Sequence, residues 1–218
     1  LTAGNLKKLA QENARYFVMT DYGEKIDERT FRVSGERDYR ELIEKDDLLK
    51  EKLGNFKDKK VLEIGCGIGR ITEFLADNFA AVGGIDISET MIGQAKERLK
   101  EKNNIRLFAT DGVNYPLPDN YFDLVFSFIV FQHMSDTATI RKNLEEIARV
   151  LKLNGLAKIQ LRGLLTSKKN WFYGPAFNHR EADKLIAGLP LTIIKTEGEN
   201  QRYFWLWLKK LDRNIEVC

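Results

Sequence analysis

From Lys60 onward the chain alternates short apolar runs with amphipathic stretches, and this alternation restricts the fold more than any other feature. The runs are Val61–Ile64, Ala81–Ile85, Ile105–Phe108, Phe122–Phe128, Leu156–Leu161, Leu191–Ile194 and Tyr203–Leu208. Their lengths suit strands, and strands separated by helical stretches form the βαβ pattern of a parallel sheet. The helices carry their own signals. Ser88 is an N-cap ahead of Met91, Ala95 and Leu99, which share one helical face. Asp136 caps a helix that buries Ile140, Leu144, Ile147 and Leu151, with Asn154–Gly155 as its stop. Asn178 and Glu181 have capping-box spacing ahead of Ala182, Leu185, Ile186 and Leu189. Only Glu197–Gln201 separates the last two runs, which suits an antiparallel hairpin, because a parallel crossover takes about a dozen residues.

Residues 1–55 have a different texture. Leu6, Leu9, Ala10 and residues 13–17 follow helical spacing, and Ser34 is placed to cap a second helix carrying Tyr39, Leu42, Ile43, Leu48 and Leu49. A polar, aromatic stretch from Tyr22 to Val33 lies between them. The expected organisation is a helical N-terminal extension or lid over 1–55, followed by a ligand-binding domain over 56–218.

Composition narrows the partners. With 43% hydrophobic residues the chain can build a core, and a net charge of +3 lacks the concentrated basic charge of nucleic-acid-binding modules. Lys168 and Lys169 form a small basic spot, and Lys209–Lys210 reads as a solvated strand end. Two cysteines, Cys66 and Cys218, give no disulfide framework or metal pattern, and the absence of a signal peptide adds to the expectation of a cytoplasmic protein. The longest apolar run, Leu124 to Phe131, falls short of the roughly 20 residues that span a bilayer. His133 and His179 are too far apart in sequence to suggest a zinc site.

The chemistry concentrates in Val61-Leu-Glu-Ile-Gly-Cys-Gly-Ile-Gly-Arg70. An apolar strand runs into Gly65, Gly67 and Gly69 just before a helix, so the backbone can turn sharply and approach a ligand beside free helical N–H groups. Arg70 stands where a dinucleotide fingerprint requires glycine. Glu63 lies in the apolar strand and needs a partner: a ligand ammonium, backbone donors of the loop, or a cation such as Arg70. Asp86, 21 residues after Gly65 and at the end of the next run, is placed to accept hydrogen bonds from ribose hydroxyls. Asp111 precedes Gly112 after the third run, where it is either a turn residue or an acceptor for an adenine amino group.

Taken in order, Glu63-Ile-Gly-Cys-Gly-Ile-Gly, Gly84-Ile-Asp-Ile-Ser, Thr110-Asp-Gly, Phe122-Asp-Leu-Val-Phe-Ser-Phe and Arg149-Val-Leu-Lys-Leu-Asn-Gly resemble the class I S-adenosylmethionine (SAM)-dependent methyltransferases, in particular the small-molecule branch called type 11. The resemblance is close from Lys60 to Leu161, looser over the closing hairpin, and slight over the extension. It implies a Rossmann-like α/β fold: a seven-stranded, mostly parallel sheet with an antiparallel last strand and helices on both faces. It implies SAM as cofactor and S-adenosylhomocysteine as product. The loop Gly65-Cys66-Gly67 would lie against the methionine part, with Glu63 beneath it and Ser127 at the methionine end. Asp86 would hold the ribose, Ile87 and Met91 would pack near the adenine, and Asp111 with the Gly112 N–H would meet the adenine edge. Leu153-Asn154-Gly155 replaces the family's usual proline-glycine turn.

His133, in Phe131-Gln-His-Met after the fourth run, is the candidate general base; its alternative is a loop histidine bonded locally. Tyr16, Phe17, Tyr22, Trp171 and Tyr173 are candidate walls of an acceptor pocket, or else a hydrophobic plug. The tract Ser127-Phe-Ile-Val differs from the Asn/Asp-Pro-Pro-aromatic sequence of related nucleic-acid amino-methylases, which argues against methylation of base amines and leaves RNA ribose and protein substrates open; the expected partner is a small-molecule acceptor, with nucleic acid disfavoured. The competing readings are a non-catalytic SAM- or S-adenosylhomocysteine-binding module and a nicotinamide-dependent oxidoreductase. The aromatic final strand leaves monomer and homodimer both open.

Overall fold

The structure is a computed structural model and describes residues 26–163 and 174–212. Seven strands form one sheet in the order β3-β2-β1-β4-β5-β7-β6. They are β1 (Lys60–Ile64), β2 (Ala81–Asp86), β3 (Ile105–Ala109), β4 (Phe122–Ser127), β5 (Leu151–Arg162), β6 (Leu191–Glu197) and β7 (Tyr203–Lys210). Every apolar run expected to be a strand is one. The helices are α1 (Glu28–Tyr39), α2 (Asp47–Leu53), α3 (Thr72–Asn78), α4 (Glu89–Arg98), α5 (Thr137–Val150) and α6 (His179–Ile186). The chain divides into two compact units, Thr2–Asp111 and Gly112–Cys218, each described by itself below.

In the first unit, β1 pairs parallel with β2, Val61 opposite Val82 and Ile64 opposite Ile85; β2 pairs parallel with β3, Asp86 opposite Ala109. Val61, Leu62, Val82 and Ile85 are buried, as parallel strands require when both faces are covered. Ser88 caps α4 by accepting the Met91 N–H, and Met91, Ala95 and Leu99 are buried as expected.

The extension departs from its expected helices. Asp27, not Ser34, caps α1, accepting the Thr30 N–H at 2.6 Å. Ser34 lies inside α1, where its hydroxyl donates to the Phe31 carbonyl at 2.7 Å. A serine that bonds one turn back along its own helix can sit in the interior instead of starting a helix. The polar, aromatic stretch expected to lie between two helices up to Val33 is therefore helical from Glu28. After a wide turn over Arg40–Glu44, Asp46 caps a new helix, α2. The N-terminal helical spacing and Tyr16, Phe17 and Tyr22 lie outside the described residues.

In the second unit, β4 pairs parallel with β5, and β7 pairs antiparallel with both β5 and β6. The hairpin turn has Gly198 at φ 79 and Asn200 at φ 64. Asp136 caps α5 through the Thr139 N–H at 2.7 Å. Helix α5 buries Ile140, Leu144 and Ile147 but ends at Val150, earlier than the Asn154–Gly155 stop suggested. Leu151 already pairs with Phe122, and Asn154, at φ 63, turns the chain within β5. Both bonds of the Asn178–Glu181 capping box form, at 3.0 and 2.9 Å. Lys210 is not a solvated end: its Nζ donates to Asn120 Oδ1 and to the Leu151 carbonyl, both at 2.7 Å. Lys168, Lys169, Trp171, Tyr173 and Cys218 lie outside the described residues.

Candidate cofactor site

The glycine turn is built at the carboxyl end of β1. Gly65, Gly67 and Gly69 have φ of 74, 54 and 84, left-handed conformations that a Cβ would strain. The Gly65 and Cys66 N–H groups both donate to the Ile85 carbonyl, at 2.8 and 3.0 Å, fastening the turn to the end of β2. The Asp86 carboxylate completes the anchor: Oδ2 accepts the Gly67 N–H and Oδ1 the Ser88 N–H, each at 2.9 Å. Asp86 therefore ties the glycine turn to the start of α4, and each carboxylate oxygen retains acceptor capacity beyond those bonds. Burial pushes its carboxyl up from the ordinary value, and the backbone donors partly oppose this.

Glu63 sits beneath the turn, 5% exposed. Of the partners expected for it, Arg70 is taken elsewhere: Arg70 Nη1 donates to Asp38 Oδ2 at 2.6 Å and to Ser34 Oγ at 3.4 Å. Glu63 Oε2 accepts the Thr72 hydroxyl at 2.5 Å. Burial outweighs that bond and the Arg70 charge, so the Glu63 carboxyl is pushed up to about 7. A cationic ligand group beside it would lower it again.

Cys66 packs its side chain among Ile92, Ala95 and Leu107, and burial with the Asp86 and Glu63 charges pushes its thiol upward. Ile87 is half-buried and Met91 buried, both at the start of α4. Asp111 is exposed just after Thr110, whose N–H donates to the Asp86 carbonyl at 2.9 Å. The first unit thus brings Glu63, Gly65, Cys66, Gly67, Asp86, Ile87 and Met91 to the carboxyl ends of β1 and β2, with Asp111 close behind β3.

In the second unit, Gly112 has φ 91 and its carbonyl accepts Asn143 Nδ2 at 2.8 Å. Ser127 is fully buried and ends β4. His133 closes a short turn, Phe131–His133, directly after β4. Two features here were not anticipated. Ile129 has φ 58, and the buried glutamines Gln132 and Gln160 bond to each other, to the Ile129 N–H and to His133. A glutamine inside the apolar run Leu156–Leu161 was the available signal. The Arg70–Asp38 pair was also unanticipated, and nothing local marks it, since its partners are 32 residues apart.

The residues present fit a nucleoside carrying a charged amino-acid tail. Asp86 offers oxygens suited to ribose hydroxyls, Glu63 suits an ammonium, and the left-handed glycines admit close approach of the backbone. Comparison with known proteins agrees. Residues 61–155 match the family described as methyltransferase domain. The chain is 39% identical over 117 residues to a phosphoethanolamine N-methyltransferase 2 of Caenorhabditis elegans, covering 52% of this chain and 26% of the relative. It is 38% identical over 103 residues to a demethylmenaquinone methyltransferase of Tropheryma whipplei, covering 47% and 41%. The chain thus matches less than half the length of these relatives. In fold it is similar to a magnesium protoporphyrin IX methyltransferase of Synechocystis PCC 6803 with bound S-adenosylhomocysteine, at a TM-score of 0.63 and 18% identity over 90% of this chain and 97% of that one.

Fold, glycine turn and similarities together mark residues 61–155 as similar to the methyltransferase domain family. In fold the chain is also similar to a SAM-dependent methyltransferase of Aquifex aeolicus, at a TM-score of 0.62 and 22% identity over 86% of this chain and 100% of that one.

Proposed function

We propose that the chain transfers the methyl group of SAM to a small-molecule acceptor. The observation that carries this is the Gly67–Asp86 anchor, which holds the glycine turn against the carboxyl end of β2 beside an acidic side chain that this reading assigns to the ribose. SAM, when bound, supplies a methyl group on a sulfonium, already activated toward in-line displacement. The protein's part is then positioning and exclusion of water. In this reading Gly65, Cys66 and Gly67 line the methionine part, Glu63 answers its ammonium, Asp86 holds the ribose, and Ile87 and Met91 pack on the adenine. Asp111 and Gly112 meet the adenine edge, and Ser127 the methionine end. His133 contacts the acceptor.

The relatives' names include acceptors as different as phosphoethanolamine and demethylmenaquinone, which supports a small molecule without selecting one. The segment 1–55 is proposed as the lid of the domain 56–218; its helix α1 is joined to Arg70, directly after the glycine turn, through Asp38. No helix among the described residues is long and apolar enough to cross a membrane. The test is incubation with methyl-labelled SAM and panels of amine, phenol, quinol and carboxylate acceptors. Label transfer to one panel supports the proposal. S-adenosylhomocysteine binding with no transfer to any panel favours a non-catalytic SAM-binding module.

A further inference from the structure

Ile129 adopts a left-handed φ of 58, which a β-branched residue holds only when its surroundings impose it. The restraint comes from Gln160, fully buried in β5, whose Oε1 accepts the Ile129 N–H at 2.9 Å. The same side chain donates from Nε2 to the Leu161 carbonyl at 2.5 Å. A backbone donor on one side and a backbone acceptor on the other fix the amide: reversing it would set two donors together and two acceptors together. The remaining Nε2 hydrogen of Gln160 meets Gln132 Oε1 at 3.1 Å. Gln132, 2% exposed, is thereby oriented in turn, and its Nε2, which can only donate, lies 3.0 Å from His133 Nε2.

We infer that Gln160 and Gln132 form a positioning relay that fixes His133 as the neutral tautomer with its ring proton on Nδ1. The ring nitrogen facing an amide N–H must present its lone pair, and a neutral imidazole then carries hydrogen on the other nitrogen. The polarity of the ring is thus set by two backbone groups, at Ile129 and Leu161, through two glutamine amides. The consequence for chemistry rests on the proposed methyl transfer. His133 cannot accept a proton at Nε2 while Gln132 donates there, so that nitrogen does not act as the general base expected from the residue's position.

The chain has two histidines, which makes the tautomer directly readable. The experiment records two-bond proton–nitrogen correlations of the full chain with ¹⁵N-labelled histidine near neutral pH, assigning the rings with His179→Gln. The expected pattern for His133 is a protonated Nδ1 and an unprotonated Nε2. A protonated Nε2, or the averaged pattern of a free ring, overturns the relay. Gln132→Glu is the second arm: a carboxylate accepting from Gln160 presents an acceptor to the ring, so the His133 proton should move to Nε2. An unchanged Nδ1–H tautomer in that variant also overturns the relay. S-adenosylhomocysteine titration of the same samples keeps the two claims apart. Binding with the wrong tautomer removes only the relay, and the predicted tautomer without binding removes only the methyltransferase reading.

Discussion

Replacing Glu63 with Gln isolates the energetic consequence of burying an acid beneath the cofactor turn. The Glu63 carboxyl is displaced from 4.5 to about 7, chiefly by burial. At about 1.4 kcal/mol per tenfold change in acidity, this corresponds to about 3 kcal/mol between the two protonation states. The folded-state value is raised, so the folded protein favours the neutral acid. That contribution is complete below pH 4.5 and is lost as pH rises through about 7. Glutamine is isosteric, accepts the Thr72 hydroxyl in the same place and does not ionise. Relative to Glu63→Gln, the ligand-free wild type should therefore lose about 3 kcal/mol of stability between pH 4.5 and 8, falling steadily from pH 4.5 to about 7 and levelling off above. At about 2–4 °C per kcal/mol for a chain of this size, the Tm difference should open by about 6–12 °C in favour of the variant. Thermal unfolding of both proteins across that range is the assay. A Tm difference that stays constant with pH would refute the argument. SAM should narrow the gap above pH 7, because its ammonium stabilises the carboxylate that the variant lacks.

Gly69→Ala combines a φ of 84 with a new Cβ only 2.5 Å from Leu99 Cδ1, and should cost about 1–3 kcal/mol in urea unfolding. Asp38→Ala strips the largely buried Arg70 guanidinium of its carboxylate and should cost about 3 kcal/mol; an effect near zero would show that the pair is solvent-screened. Asn178→Ala breaks the capping box of α6 and should cost about 1 kcal/mol by the same measurement, with S-adenosylhomocysteine affinity unchanged.

The strands were legible because parallel strands covered on both faces read as continuous apolar runs, and those runs fell where β1 to β7 lie. Ser88, Asp136 and Asn178 were legible as caps because each accepts an N–H three residues ahead, a purely local geometry. Ser34 was misread because its type suits a cap as well as an interior position bonded back to Phe31. At β5, Leu151 joins β4 while Asn154 turns the chain, so strand pairing overrode the local stop signal. Within the site, the glycines, Glu63 and Asp86 announced themselves by residue type and spacing. Their partners did not. The choice of Thr72 for Glu63 and Asp38 for Arg70 depends on which side chains tertiary packing brings within reach. The Gln132–Gln160 bond likewise joins residues 28 apart in sequence, on a turn and a strand that only the folded unit brings together.

The measurement that tests the central claim most directly is calorimetric titration of S-adenosylhomocysteine into wild type and Asp86→Ala, with NADH as a control ligand. Saturable S-adenosylhomocysteine binding to the wild type is predicted. A loss of at least about tenfold in Asp86→Ala should follow from removing hydrogen bonds to a charged acceptor and the anchor of Gly67. Equal affinity in the two proteins would contradict the placement of the ribose at Asp86. NADH binding without S-adenosylhomocysteine binding would contradict the assignment of the cofactor itself.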